Sequence, residues 1–142
     1  MEPELIRPAS VQEALVHIMV VVSASDSNMT DRELAKMGTV VQTMPAFSDF
    51  DPDHLLDVTR RSHELLQQEG ALNDIIASIA EAIPARLRDT AYAFAVEIAA
   101  ADRQVRPEEL RILQILRGHL GLDTLTAAAI ERSAVIRHRA LV

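Results

Sequence analysis

A chain of 142 residues with 49% hydrophobic residues can build one domain with its own core, and its net charge of −7 opposes a general nucleic-acid role, which needs a basic footprint. The absence of cysteine removes disulfides, thiolate metal sites and cysteine nucleophiles, and fits a reducing compartment. Aromatic residues make up only 3%, with no Trp, so Ala, Leu, Ile and Val must form the core, which suits closely packed helices.

The N-terminal MEPELIRPAS is acidic and broken by proline, unlike a signal peptide, and residues 1–9 are expected to be extended. The longest apolar run, Ile18 to Ala24, is far short of the roughly 20 residues a membrane-spanning helix needs. A cytoplasmic protein with no transmembrane segment is expected. Ser10-Val11-Gln12-Glu13 reads as a capping box opening helix 1 over about 11–24, with Leu15, Ile18, Met19 and Val22 at helical spacing. Thr30-Asp31-Arg32-Glu33 is a second capping box and opens helix 2 over about 31–43, before Pro45 stops it.

Asp51-Pro52 sets an N-cap acid before a first-turn proline and predicts helix 3 over about 52–67, with Leu55, Leu56, Thr59, His63 and Leu66 on its inner side. Gly70 ends it. Helix 4 follows over about 71–82 with Leu72, Ile75, Ile76, Ile79 and Ile83 inward, and Pro84 begins helix 5 over about 84–101. Pro107, Glu108 and Glu109 start helix 6 over about 107–119, where acids complement the helix dipole. Gly121 closes it, and Asp123 caps helix 7 over about 124–138. The expectation is an all-α, compact seven-helix bundle in a single domain, 1–142.

Two segments read as copies of each other: VVVSASDSNMTDRELAKM, residues 20–37, and VEIAAADRQVRPEELRIL, residues 96–113. Asp26 matches Asp102, Met29 matches Val105, Glu33 matches Glu109 and Leu34 matches Leu110, at a constant offset of 102 − 26 = 76. Each copy runs helix, acidic corner, helix, so helices 1–2 and 5–6 form two related hairpins joined by helices 3–4. The apolar residue plugs the turn, and both carboxylates can return to one inter-helix corner. Oxygen-only sites of that kind suit hard cations such as Ca²⁺ or Mg²⁺. The spacing equals half of an EF-hand loop, but Val22, Ala24, Ile98 and Ala100 stand where that loop needs oxygen ligands. The residues leave two readings open, an ion site or simple capping of turns. The first copy offers more oxygens, from Ser27, Asn28, Thr30 and Asp31, whereas Arg103 and Arg106 repel a cation in the second.

The repeated Ala-(Ala/Ser)-Asp with Glu seven residues later, carried by SASDSNMTDRELAKM and PARLRDTAYAFAVEIAAADRQVRPEEL, resembles the tellurite-resistance TerB-like family over about residues 11–120. The resemblance implies a helical fold with two pseudo-symmetric hairpins. It also implies an acidic metal-binding face and a stress-response role with protein partners at the inner membrane surface. By motif, Asp26, Glu33, Asp102 and Glu109 take the family's acidic positions, with a divalent cation (Ca, Mg, Mn or Zn) as the implied cofactor. Ser27 and Arg103 depart from the pattern, which has Gly there.

No GxSxG, phosphate-cradling glycine loop or dinucleotide fingerprint occurs, so no catalytic residue is proposed and a non-enzymatic protein is expected. Direct tellurite capture is disfavoured by the negative charge. Arg86 and Arg88 are expected on the surface. The acidic run Asp49 to Asp53 predicts a turn, with Phe47 and Phe50 pinning it to the core. His17 is expected in the core with a hydrogen-bond partner, and none of the five histidines forms a close metal pair. Glu97 reads as a surface residue facing Arg60 or Arg61, or else as a buried acid with a raised pKa. Arg132, Arg137, His138 and Arg139 read as charges complementing the end of helix 7 rather than as a membrane anchor.

Overall fold

A computed structural model describes residues 11–23, 29–67, 72–101 and 107–141. Seven α-helices account for most of them: α1 (Val11–Ser23), α2 (Asp31–Thr43), α3 (His54–Leu66), α4 (Leu72–Glu81), α5 (Arg88–Ala101), α6 (Pro107–Leu120) and α7 (Thr124–Arg137). Short 3₁₀ turns at Pro45–Phe47 and Ala85–Leu87 join them, and no strand occurs among the described residues.

Local chemistry fixes these boundaries. Thr30 Oγ1 accepts the Glu33 N–H at 3.1 Å, and Glu33 Oε1 accepts the Thr30 N–H at 2.9 Å, so the expected capping box opens α2. Gly121, at φ 67°, ends α6 in the left-handed conformation that glycine adopts without steric cost. Asp123 accepts the Thr126 N–H and hydroxyl, both at 2.8 Å, and caps α7. Two starts differ from expectation. The regular part of α3 begins at His54, because Asp51 instead closes a preceding turn, its Oδ1 accepting the Asp53 N–H at 3.0 Å. Pro84 leads first into the 3₁₀ turn, and α5 begins at Arg88. Ser10, the cap expected for α1, lies outside the described residues.

From Glu13 to Ser23 every residue of α1 is buried. A helix apolar on all sides must be surrounded, and burial overrides the modest helix propensity of its valines. α1 packs against α3, α4, α5 and α6, while α5 packs against α1, α2, α6 and α7. Ala91, Ala95 and Ala99, all at most 2% exposed, recur every fourth residue along α5 and present a low-profile surface. The packing pattern is doubled. α1 and α5 touch centrally, α2 lies on α5 as α6 lies on α1, and α3 lies on α1 as α7 lies on α5. Helix α3, expected to be a connection, is thus the counterpart of α7 in this arrangement, and α4 alone stands between the halves.

Two inner faces need correction. Leu56 is 62% exposed and Leu72 39% exposed, while Val58 and Ser62 complete the buried side of α3 with Leu55 and Thr59. His63 and Leu66 are half-buried. Phe47 does pin its turn, with Phe94 at 5.8 Å and Phe50 at 5.5 Å between ring centres.

Candidate functional site

The two hairpins place Glu33 in the first turn of α2 and Glu109 in the first turn of α6, only 2% and 3% exposed. The leucines that follow point outward, with Leu34 37% and Leu110 51% exposed. Ordinary burial preferences would place leucine inside and glutamate in water. The reversal occurs in both copies, so each corner holds its carboxylate inward at matching positions. Met29 packs against the core as the turn plug expected in the first copy. Asp26 and Asp102, with Val105, lie outside the described residues. Among the described residues no three His, Asp or Glu side chains converge closely enough to hold a metal ion.

The Glu33 and Glu109 carboxylates fit a hard cation in donor type, since they offer oxygen. In the first corner Glu33 Oε1 already accepts the Thr30 N–H.

Another group of charges gathers around α5, one turn along α2 from Glu33. Glu97, 7% exposed on α5, faces Lys36 of α2 at 3.1 Å and His138 at 3.2 Å, and forms an ion pair with Arg137 of α7. Burial pushes its pKa up, but the hydrogen bonds from Lys36, His138 and Arg137 prevail and hold it below the usual value. The surface reading is corrected, since the residue is buried and its partners are not Arg60 or Arg61, while the buried-acid reading holds for burial and is corrected for the direction of the pKa. Arg61 instead reaches Glu13 at 2.9 Å, beside His54 at 3.4 Å. The basic end of α7 therefore grips a carboxylate rather than serving only the helix dipole. An acid inside an apolar helix was the available signal that distant cations must come to it.

His17 is 3% exposed and hydrogen-bonds through Nδ1 to the Ser62 hydroxyl. Burial pushes its pKa down to about 4, Glu13 opposing and Arg61 assisting the fall. His119 pairs with Asn73 at 2.9 Å. Arg86 is exposed as expected, but Arg88 is half-buried and donates from Nε to the Ile83 carbonyl at 3.2 Å, closing the end of α4. Nearer the start of α5, Tyr92 donates its hydroxyl to Glu131 Oε2 at 2.6 Å, with Arg117 at 3.4 Å from the same oxygen. Burial and that carboxylate raise the Tyr92 pKa.

These features define an all-helical protein of two cross-packed hairpins, each holding a glutamate inward at its corner. The chain belongs to the TerB family: the family model described as "Tellurite resistance protein TerB" matches residues 12–132. No curated protein and no solved structure matches the chain. No helix among the described residues is long and apolar enough to cross a membrane.

Proposed function

We propose that this TerB-family protein is a non-enzymatic stress-response module that binds divalent cations and protein partners through its acidic inter-helix corners. The observation that carries the reading is the matched inward placement of Glu33 and Glu109 beside outward leucines. Asp26 with Glu33 would hold the ion in the first corner, and Asp102 with Glu109 in a weaker second one, disfavoured by Arg103 and Arg106. The cation would supply positive charge that tightens the corner and presents a fixed surface to a partner, on the cytoplasmic face of the membrane.

Calorimetry and thermal melts with Ca²⁺, Mg²⁺, Mn²⁺ and Zn²⁺ test this on the wild type and Asp26→Asn. One ion should give saturable heat and, at a hundredfold excess over Kd, about 2.7 kcal/mol of added stability. Both should fall sharply in Asp26→Asn, leaving at most the weaker second corner, while its helical content stays. Silence with all four metals removes the ion-binding half. A metal-independent helical adaptor is the second reading, supported by the Glu33 oxygen engaged in the capping box. It predicts that partner capture survives chelation.

A further inference from the structure

Helices α6 and α7 diverge over α5 and leave a groove of about 560 Å³, within the roughly 300–1,000 Å³ of small-molecule sites. Leu113 of α6, Ala134 of α7 and Val96 and Ala99 of α5 line it, with Leu110 and Val135 about half exposed at the mouth. The alanines make the hollow, since larger side chains at 99 and 134 would fill it. It extends along α5 at least from Tyr92 to Ala99, roughly 10 Å at the helical rise.

The two ends differ in charge. At one, the Arg117 guanidinium and the Tyr92 hydroxyl both meet Glu131, a balanced group. At the other, His138 lines the groove and also faces Glu97, where Lys36 and Arg137 converge. Among the described ion pairs there, two permanent cations and an imidazole meet the one Glu97 carboxylate. The surroundings share this bias. Residues 88–142, which carry α5, α6 and α7, hold eight Arg against seven acidic residues, a net +1, while residues 1–87 carry six basic against fourteen acidic residues, a net −8. An elongated apolar trough with a cationic end, in an otherwise acidic protein, is complementary to one chemistry: a hydrocarbon chain ending in an anion.

We propose that the α5–α6–α7 groove binds a single-chain amphipathic anion of the fatty-carboxylate class. Its hydrocarbon lies between α6 and α7, and its carboxylate sits at the His138 end within the field of Arg137 and Lys36. Leu110 follows Glu109, so the groove opens beside the second corner, but its described lining contains neither Glu33 nor Glu109, and the proposal stands whether or not the corners bind an ion.

The chain has one tyrosine and no tryptophan, so Tyr92, in the groove, is a built-in reporter. Tyrosine fluorescence and calorimetry would follow titration with monomeric dodecanoate at neutral pH, beside dodecanol and dodecyltrimethylammonium. Dodecanoate should bind saturably at one per chain, about tenfold tighter than dodecanol, a difference of about 1.4 kcal/mol, and the cationic chain should give no saturable signal. Leu110→Glu alters a half-exposed position at the mouth and should keep its helical circular dichroism while losing dodecanoate binding. His138→Gln should weaken dodecanoate and leave dodecanol unchanged. No saturable response, equal affinity for the three head groups, or unchanged binding in a folded Leu110→Glu protein would overturn the proposal. So would a response to phosphatidylglycerol vesicles without one to monomeric dodecanoate, which would make the face a bilayer contact.

Discussion

Val21 and Glu97 hold the same place in the two halves of the molecule, since 97 − 76 = 21, and both are buried. The first half fills that place with an apolar side chain and puts its polar contacts elsewhere, where His17 meets Ser62 and Glu13 meets Arg61 across the α1–α3 contact. The second half fills it with a carboxylate and draws in Lys36 from α2 and Arg137 and His138 from the end of α7. One packing plan therefore supports two solutions. The apolar one seals a helix inside the bundle. The ionic one ties three helices together and leaves a cationic margin beside an open groove.

Exchanging the two solutions should give the largest effect. Val21→Glu buries an acid inside an apolar helix and should cost more than about 3 kcal/mol, read by urea denaturation. The reverse change, Glu97→Val, frees Lys36 and Arg137, which are 31% and 52% exposed by side chain and can return to water. It should cost only about 1–2 kcal/mol. Similar costs in both directions would mean that the halves are not distinguished by this position.

Acid should act on the first half next. His17 is held neutral, its pKa down at about 4 against 6.5 in the unfolded chain. The unfolded state therefore takes up the proton first, and this contribution, complete above pH 6.5, is lost as pH falls toward 4, by roughly 3 kcal/mol. His17→Gln should flatten the melting temperature across that interval. The depressed Glu97 of the second half acts lower, its contribution being present above the ordinary carboxylate range and lost as pH falls through its folded value. The smallest effect is expected at the first corner, where Thr30→Ala removes one half of the capping box for about 1 kcal/mol. A second-half Gly121→Ala, which forces a side chain into φ 67°, should match it at about 1 kcal/mol.

Helix positions were legible because their signals are local. Thr30 with Glu33, Pro107, Gly121 and Asp123 mark ends through bonds made within a few residues, and the TerB resemblance rests on the same corners. The outward turn of Leu34, Leu56 and Leu110 was not legible, since periodicity cannot tell which neighbour covers a leucine. The partners of Glu97 lie 61 positions upstream, at Lys36, and 40 and 41 positions downstream, at Arg137 and His138, so only the packing of α2 and α7 on α5 reveals them. The groove was equally hidden, because a hollow left by Ala99 and Ala134 has no sequence signature. Of the four acids read as a site, Glu33 and Glu109 stand inward at matching corners.

The enclosure of α1 from Glu13 to Ser23 also bears on synthesis. Its neighbours α3, α4, α5 and α6 all leave the ribosome after it, so the valine-rich stretch emerges long before its last partner exists. Until then it is a sticky segment of high strand propensity, the kind that aggregates or engages chaperones. A chain cut short before α5 would have no native way to hide it.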